Sequence, residues 1–205
     1  ASSSDGKKLA AAEYVGTIVT SSDFGATWTD RLPENHPARG TVGYDVSSSS
    51  DGSKLAVAGY GGNIWTSSDY GRSFAKISAI GTTESTQSWQ CIASDASGDR
   101  LVAIESPNAF EPPAPGTTIW RTSEFGWESA FQDPAVTMEA KQFSGLYITS
   151  SSDGRKLAAI ELTQATEVKS NPTIWTSSDY GETWVKKFSL GRVGPDGSAI
   201  TSSSD

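Results

Sequence analysis

An eight-residue phrase, Ser-x-Asp-x-Gly-x-Thr-Trp, comes back along this chain at long, nearly regular intervals. It is complete at residues 21–28 and 177–184, and at 67–74 it ends in Ser73 and Phe74. At 122–129 it has decayed, with Thr122, Glu124, Glu128 and Ser129 at the defining positions. The acidic positions Asp23, Asp69, Glu124 and Asp179 lie 46, 55 and 55 residues apart. Self-similarity at a period of ~40–50 residues is the signature of propellers, solenoids and arrays, so the phrase sets the architecture before any single residue is weighed.

Each unit shares a grammar around the phrase. An alternating apolar segment ends in serines and an Asp-Gly pair, as at Asp51-Gly52 and Asp153-Gly154, a strong short-range hairpin signal because both residue types tolerate a positive φ. A second strand follows, opened by Lys8-Leu9, Lys54-Leu55, Arg100-Leu101 and Lys156-Leu157. A connection of variable length leads to a third strand around Ile18, Ile64-Trp65, Ile119-Trp120 and Ile174-Trp175. The phrase then turns the chain into a fourth strand. No segment shows a helical apolar stripe. A lone four-stranded sheet leaves its faces bare, and radial stacking buries them, so the expected fold is all-β: a β-propeller of four-stranded antiparallel blades, four repeats being present. The approximate repeats are 1–40, 41–86, 87–143 and 144–196 within one domain, 1–205.

The phrase resembles the Asp-box, or BNR repeat, of sialidases, sortilin-type receptors, some glycoside hydrolases and a photosystem II assembly factor. The resemblance is specific for fold and unspecific for activity. It implies that the boxes are fold-stabilising turns set away from any catalytic centre. The structural set is then Asp23, Gly25, Trp28, Asp69, Gly71, Phe74, Gly126, Asp179, Gly181 and Trp184. Physically, an Asp can accept backbone N–H groups across its own turn, Gly supplies a positive φ, and the Trp packs back under the loop. Calcium ligation is the lesser alternative, since the boxes lack the dense carboxylate spacing of a calcium loop.

Composition removes several classes of function. The formal charge is −8 with no run of Lys or Arg, which argues against nucleic acid as a partner. No apolar stretch approaches the ~18–20 residues of a membrane-spanning helix, so no membrane insertion is expected within this segment. One Cys and one His cannot build a metal cage, so no metal or cofactor is expected. Cys91, in an apolar strand, reads as buried core rather than as a nucleophile served by His36.

The opening residues 4–6 and the closing residues 203–205 occupy the same phase of the repeat. The first unit lacks its innermost strand, and residues 197–205 supply either a closing strand or the first strand of a further blade. The chain is thus either a closed four-bladed ring or part of a larger propeller, with the absent initiator Met favouring a portion of a longer protein that brings further domains.

The Asp-Gly turns and boxes share one rim. The opposite rim carries the second-to-third connections, and loop variation over a rigid scaffold is where function concentrates. These connections are short in units one and two, whereas unit three inserts a proline-rich stretch, 106–116, and unit four inserts 162–172. Tyr14, Tyr60, Trp89 and Phe110 are the aromatic candidates for ligand contact. Glu13, Glu105 and Glu161 end their second strands, and a glycosidase needs two carboxylates ~5–9.5 Å apart; Glu105 and Glu161 are the catalytic candidates, against the alternative that they are solvated strand ends. A sialidase is disfavoured by resemblance, because the Arg-Ile-Pro motif is missing and the arginines are scattered singly. The serine runs lack the Gly-x-Ser-x-Gly of a nucleophile elbow. The leading expectation is a non-catalytic module binding protein or glycan in an extracellular or cell-surface assembly. A carbohydrate-active hydrolase is the alternative, and an organellar or envelope assembly factor the weaker one.

Overall fold

Alternating apolar residues closed by serines put each periodic segment into a β-strand. The computed structural model describes residues 1–13, 16–32, 34, 36–37, 45–59, 63–77, 88–106, 118–123, 126–132, 143–165, 169–189 and 200–201. These residues hold fifteen strands and no helix. The first sheet contains β1 (Leu9–Glu13), β2 (Thr17–Ser21) and β3 (Thr29–Asp30). The second contains β4 (Asp45–Ser48), β5 (Leu55–Ala58), β6 (Ile64–Ser67) and β7 (Ala75–Ile77). The third contains β8 (Ser88–Ser94), β9 (Leu101–Ser106), β10 (Thr118–Ser123) and β11 (Gly126–Gln132). The fourth contains β12 (Phe143–Ser150), β13 (Leu157–Ala165), β14 (Lys169–Ser177) and β15 (Val185–Ser189). Every sheet is an antiparallel meander in chain order. The first has three strands, yet its inner strand is begun: Ser2 bridges Leu9, and Ala1 exchanges backbone hydrogen bonds with Ala10.

Three apolar clusters lie between consecutive sheets. Ile18 and Leu32 of the first meet Val57 and Trp65 of the second. The other face of the second sheet, with Ala56, Ala58 and Ile64, meets Trp89, Ile92, Leu101 and Ala103 of the third. The third in turn offers Cys91, Val102, Ile104 and Ile119 to Ile148, Leu157 and Ala159 of the fourth. Odd and even residues of one strand thus serve opposite interfaces, and all four residues of β5 are buried. Each fully buried Ile or Val contributes roughly 1.5–3 kcal/mol, which no isolated sheet would collect.

Backbone bonds tie the sheets at one phase of the repeat. Ser4 N–H donates to Ser50 O at 2.7 Å, Ser50 N–H to Ala96 O at 2.8 Å, and Ala96 N–H to Ser152 O at 2.8 Å. At the other end of β4, the Asp45 carboxylate accepts the Ile92 N–H at 2.9 Å and the Cys91 thiol at 3.0 Å. Burial first, then Asp45, pushes that thiol well above its ordinary range, so Cys91 is an apolar-core hydrogen-bond donor rather than a thiolate. His36 packs against Trp65 instead.

Two local expectations are corrected. The 162–172 insertion is in part an extended hairpin: β13 and β14 pair from Leu157↔Ser177 out to Ala165↔Lys169. And the Asp of the Asp-Gly turn does not take a positive φ; among the turn residues only Gly6, Gly52, Gly98 and Gly154 do. The Asp accepts hydrogen bonds instead.

Candidate functional site

The box rim is built from short hydroxyl and carboxylate side chains that close their own loops. In the first box Asp23 Oδ1 accepts the Thr27 N–H at 2.9 Å and the Ser21 hydroxyl at 2.7 Å, while Oδ2 accepts the Thr27 hydroxyl at 2.6 Å. Ser21 Oγ accepts the Gly25 N–H at 2.9 Å. Asp69 with Ser67 and Ser73, and Asp179 with Ser177 and Thr183, repeat the pattern. These donors, the Thr or Ser hydroxyl first, lower each of the three carboxyls to about 2. The Trp28 and Trp184 indole N–H groups each donate to the box glycine carbonyl at 3.1 Å. Trp184 and Phe74 lean on the inter-sheet clusters, whereas Trp28 is 46% exposed.

Sequence reasoning missed one feature of the box. The residue before each glycine, Phe24, Tyr70 or Tyr180, also has a positive φ, of 58°, 65° and 60°. For a bulky residue this is a strained conformation. It is held by a backbone bond to the neighbouring turn of the same sheet: Tyr70 N–H to Ser53 O, and Tyr180 N–H to Arg155 O. The result is an aromatic ledge facing the preceding sheet. There a recurring cation reaches across: Lys8 Nζ lies 3.6 Å from the Tyr70 ring centroid, and the Arg100 guanidinium 4.3 Å from that of Tyr180. Lys8 also donates to Asp51 O, Arg100 to Asp153 O, and Lys54 pairs with Asp99. The only sequence signal was the basic residue repeated before each second-strand leucine.

Gly126 does not belong to a box loop. In unit three β10 and β11 pair up to Ser123↔Gly126, so Gly126 opens a strand. Thr122, where the other units have the box serine, accepts the Leu101 N–H at 2.9 Å.

On the opposite rim, Glu13, Glu105 and Glu161 occupy the same rung of the first, third and fourth hairpins, opposite Thr17, Thr118 and Thr173. Glu13 is exposed. Glu105 is no freely solvated strand end: its Oε2 accepts the Trp120 indole N–H at 2.7 Å. Trp89 is withdrawn from any ligand surface, being 1% exposed and edge-on to Trp120 between two sheets. Tyr14, Tyr60 and Phe110 lie outside the described residues, as does most of the 106–116 loop. Among the described residues no group of three His, Cys, Asp or Glu side chains is placed to hold a metal ion, and no helix is long and apolar enough to cross a membrane.

The BNR-Asp box repeat model matches residues 64–77 and 174–187. No curated protein matches the sequence. Among solved structures, a GH74 xyloglucanase from Xanthomonas campestris superposes with a TM-score of 0.61 at 16% identity over 90% of this chain. A GH74 enzyme of Niastella koreensis gives 0.59 at 12% identity, again over 90%. This chain spans 28% of the length of each. A TolB protein from Agrobacterium tumefaciens gives 0.58 at 16% identity over 93% of this chain and 64% of its own. At these identities the likeness is one of fold, a β-propeller.

Proposed function

We propose that this propeller with BNR-Asp box repeats is a non-catalytic module that binds protein or glycan, in an extracellular or cell-surface assembly, through the rim opposite its boxes. The observation that carries the reading is the β13–β14 arm. In unit two the equivalent hairpin closes at Ala58↔Ile64, the counterpart of Ile160↔Ile174. The arm continues for five further pairs, from Glu161↔Thr173 to Ala165↔Lys169, or roughly 16 Å at the ordinary rise of a strand. Among the described residues β12 pairs with the arm as far as Thr163, and β15 as far as Thr173. Pro172 pairs with Leu162 inside the arm, one residue beyond the last described pair with β15. A hairpin longer than its counterpart carries strand edges out to this rim, the kind of surface a partner strand can meet.

The arm is tested by replacing residues 163–171 with a two-residue turn. The variant keeps its thermal midpoint within a few degrees and loses binding on a glycan array or in a partner pull-down by at least about tenfold. Unchanged binding would remove the arm from the reading. Turnover of an oligosaccharide that disappears in Glu105→Gln or Glu161→Gln would replace it with the hydrolase. The likeness to GH74 enzymes is one of fold and does not choose between the two.

A further inference from the structure

Where the first and second sheets meet on the box rim, a notch of about 200 Å³ opens. Three cations line it, Lys8 just before β1, Arg31 just after β3 and Arg72 in the second box, and no carboxylate does. In a chain of formal charge −8 this is a local reversal of sign. Lys8 is partly occupied, since Asp51 O accepts its ammonium and its charge is felt by Asp5 and Asp51. Arg31 spends its Nε on the Thr20 hydroxyl, at 2.6 Å. Among the described residues neither Arg31 nor Arg72 has a carboxylate partner.

The repeat supplies an internal control. The equivalent notch between the third and fourth sheets has Arg100, Gly154, Leu157 and Tyr180 where the first has Lys8, Gly52, Leu55 and Tyr70, but holds only about 70 Å³. Position 72 there is Glu182, whose carboxylate lies 3.5 Å from the Arg121 guanidinium. The smaller notch is lined by two arginines, Arg100 and Arg121, of which Arg121 is paired with Glu182, whereas the larger holds three cations and, among the described residues, no carboxylate partner for its arginines. Since both share a scaffold, the difference does not follow from building a propeller.

We propose that the notch between the first two sheets binds a tetrahedral oxyanion, a sulfate or phosphate group, with Arg31 and Arg72 as its principal ligands and Lys8 as the third. Three cationic heads from three chain segments suit a group with oxygens in three directions, whereas a carboxylate presents two in one plane. The volume is below the ~300–1,000 Å³ of drug-sized pockets and admits one such group with a single sugar ring or a few waters. The site lies on the rim away from the hairpin arm, so it stands or falls separately from the function proposed above.

Calorimetric titration of the 205-residue chain with inorganic sulfate, inorganic phosphate, a sulfated oligosaccharide and its desulfated counterpart tests this, with NMR reading the arginine Nε–H signals. Saturable binding is expected for sulfate or phosphate or for the sulfated sugar, weakening as NaCl rises, with none for the desulfated sugar. A response to the free ions identifies inorganic anion as sufficient; a response to the sulfated sugar alone identifies the ester as the source. Arg72→Glu, which copies the fourth unit, and Arg31→Gln each weaken binding by at least about tenfold, with Arg72→Gln as a milder check on folding. Glu182→Arg leaves it unchanged. No saturable binding of any of the three anions, binding indifferent to both arginines, or binding of an acidic peptide in their place overturns the proposal.

Discussion

Unit three and unit four turn the same corner of the blade by different means. In unit four Ser177, Asp179 and Thr183 close an open loop between β14 and β15, and Tyr180 is held at φ 60° as a ledge for Arg100. In unit three the box has decayed, and β10 and β11 pair to Ser123↔Gly126 across a two-residue connection. Both corners make an antiparallel pair, so the box is not what joins the third and fourth strands. What it adds is lateral: a ledge on which the previous sheet's cation rests. The inner turn of unit three diverges too. Ser49 and Asp51 appear there as Asp95 and Ser97, with the hydrogen bond reversed, so that Ser97 Oγ donates to Asp95 and Asp95 accepts the Arg100 N–H. Which residue brings the carboxylate is free; that one hydroxyl and one carboxylate meet there is not.

The sharpest way to break this lateral reading is through the inner-turn glycines, whose effect is the largest expected. A Cβ on Gly98 would stand 2.8 Å from Lys54 Cβ and 3.0 Å from Ser49 Cβ, and one on Gly52 would stand 2.9 Å from Lys8 Cβ. A Cβ on Gly6 meets nothing within 4 Å, though its φ of +70° is equally unfavourable. Gly6→Ala therefore costs only the left-handed backbone, about 1 kcal/mol, whereas Gly52→Ala and Gly98→Ala also force adjacent sheets apart, about 2–4 kcal/mol in all. Urea midpoints decide it: three equal losses would mean that these glycines serve their turns alone and not the inter-sheet contact.

The period of the acidic phrase is a one-dimensional signal and carried the fold. Alternation named the strands, and both-faced apolar runs such as Leu55–Ala58 required sheets on either side. The box carboxylate as an acceptor of its own turn was also legible, because donor and acceptor sit four residues apart. The Ser21 hydroxyl taking the Gly25 N–H was not, nor was the strain at Phe24, Tyr70 and Tyr180, since both depend on how the loop closes. The β13–β14 arm reads as a loop because its polar residues 163–171 do not alternate. The cationic notch is beyond linear reading altogether: residues 8, 31 and 72 meet only when two sheets are side by side.

Acid gives the next effect in size and separates the boxed units from unit three. The carboxyls of Asp23, Asp69 and Asp179 are lowered to about 2 by their hydroxyl and amide donors. A depressed folded-state pKa contributes stability that is complete above the unfolded value near ~4 and is lost as pH falls toward 2. The wild-type urea midpoint should therefore drop between pH 4 and pH 2. In the triple variant Asp23→Asn, Asp69→Asn, Asp179→Asn the midpoint is lower at pH 7 and its slope across that window shallower. Reverting position 69 to Asp restores about a third of the slope. A triple variant with the wild-type slope would place the acid sensitivity in the inner-turn carboxylates Asp5, Asp51 and Asp153, which are lowered by similar donors.

The smallest effect distinguishes the cations themselves. Lys54 pairs with Asp99, and both side chains are substantially exposed, at 35% and 69%; such a pair is worth about 0–1 kcal/mol and is screened by salt. Arg100 instead stacks on the strained Tyr180 ring and donates to Asp153 O at 3.1 Å, contacts in which attraction to a ring face persists in salt and contributes about 0.5–1 kcal/mol. Lys54→Met should lower stability slightly at low ionic strength and not at all in ~1 M NaCl, while Arg100→Met lowers it in both. Unit three meets its neighbour's cation with the Asp99 carboxylate, whereas unit four meets an arginine with the Tyr180 ledge. Were the two substitutions to respond alike to salt, the ledge would be no more than an exposed turn that a cation happens to overlie, and the strained φ at Tyr180 would lose its account.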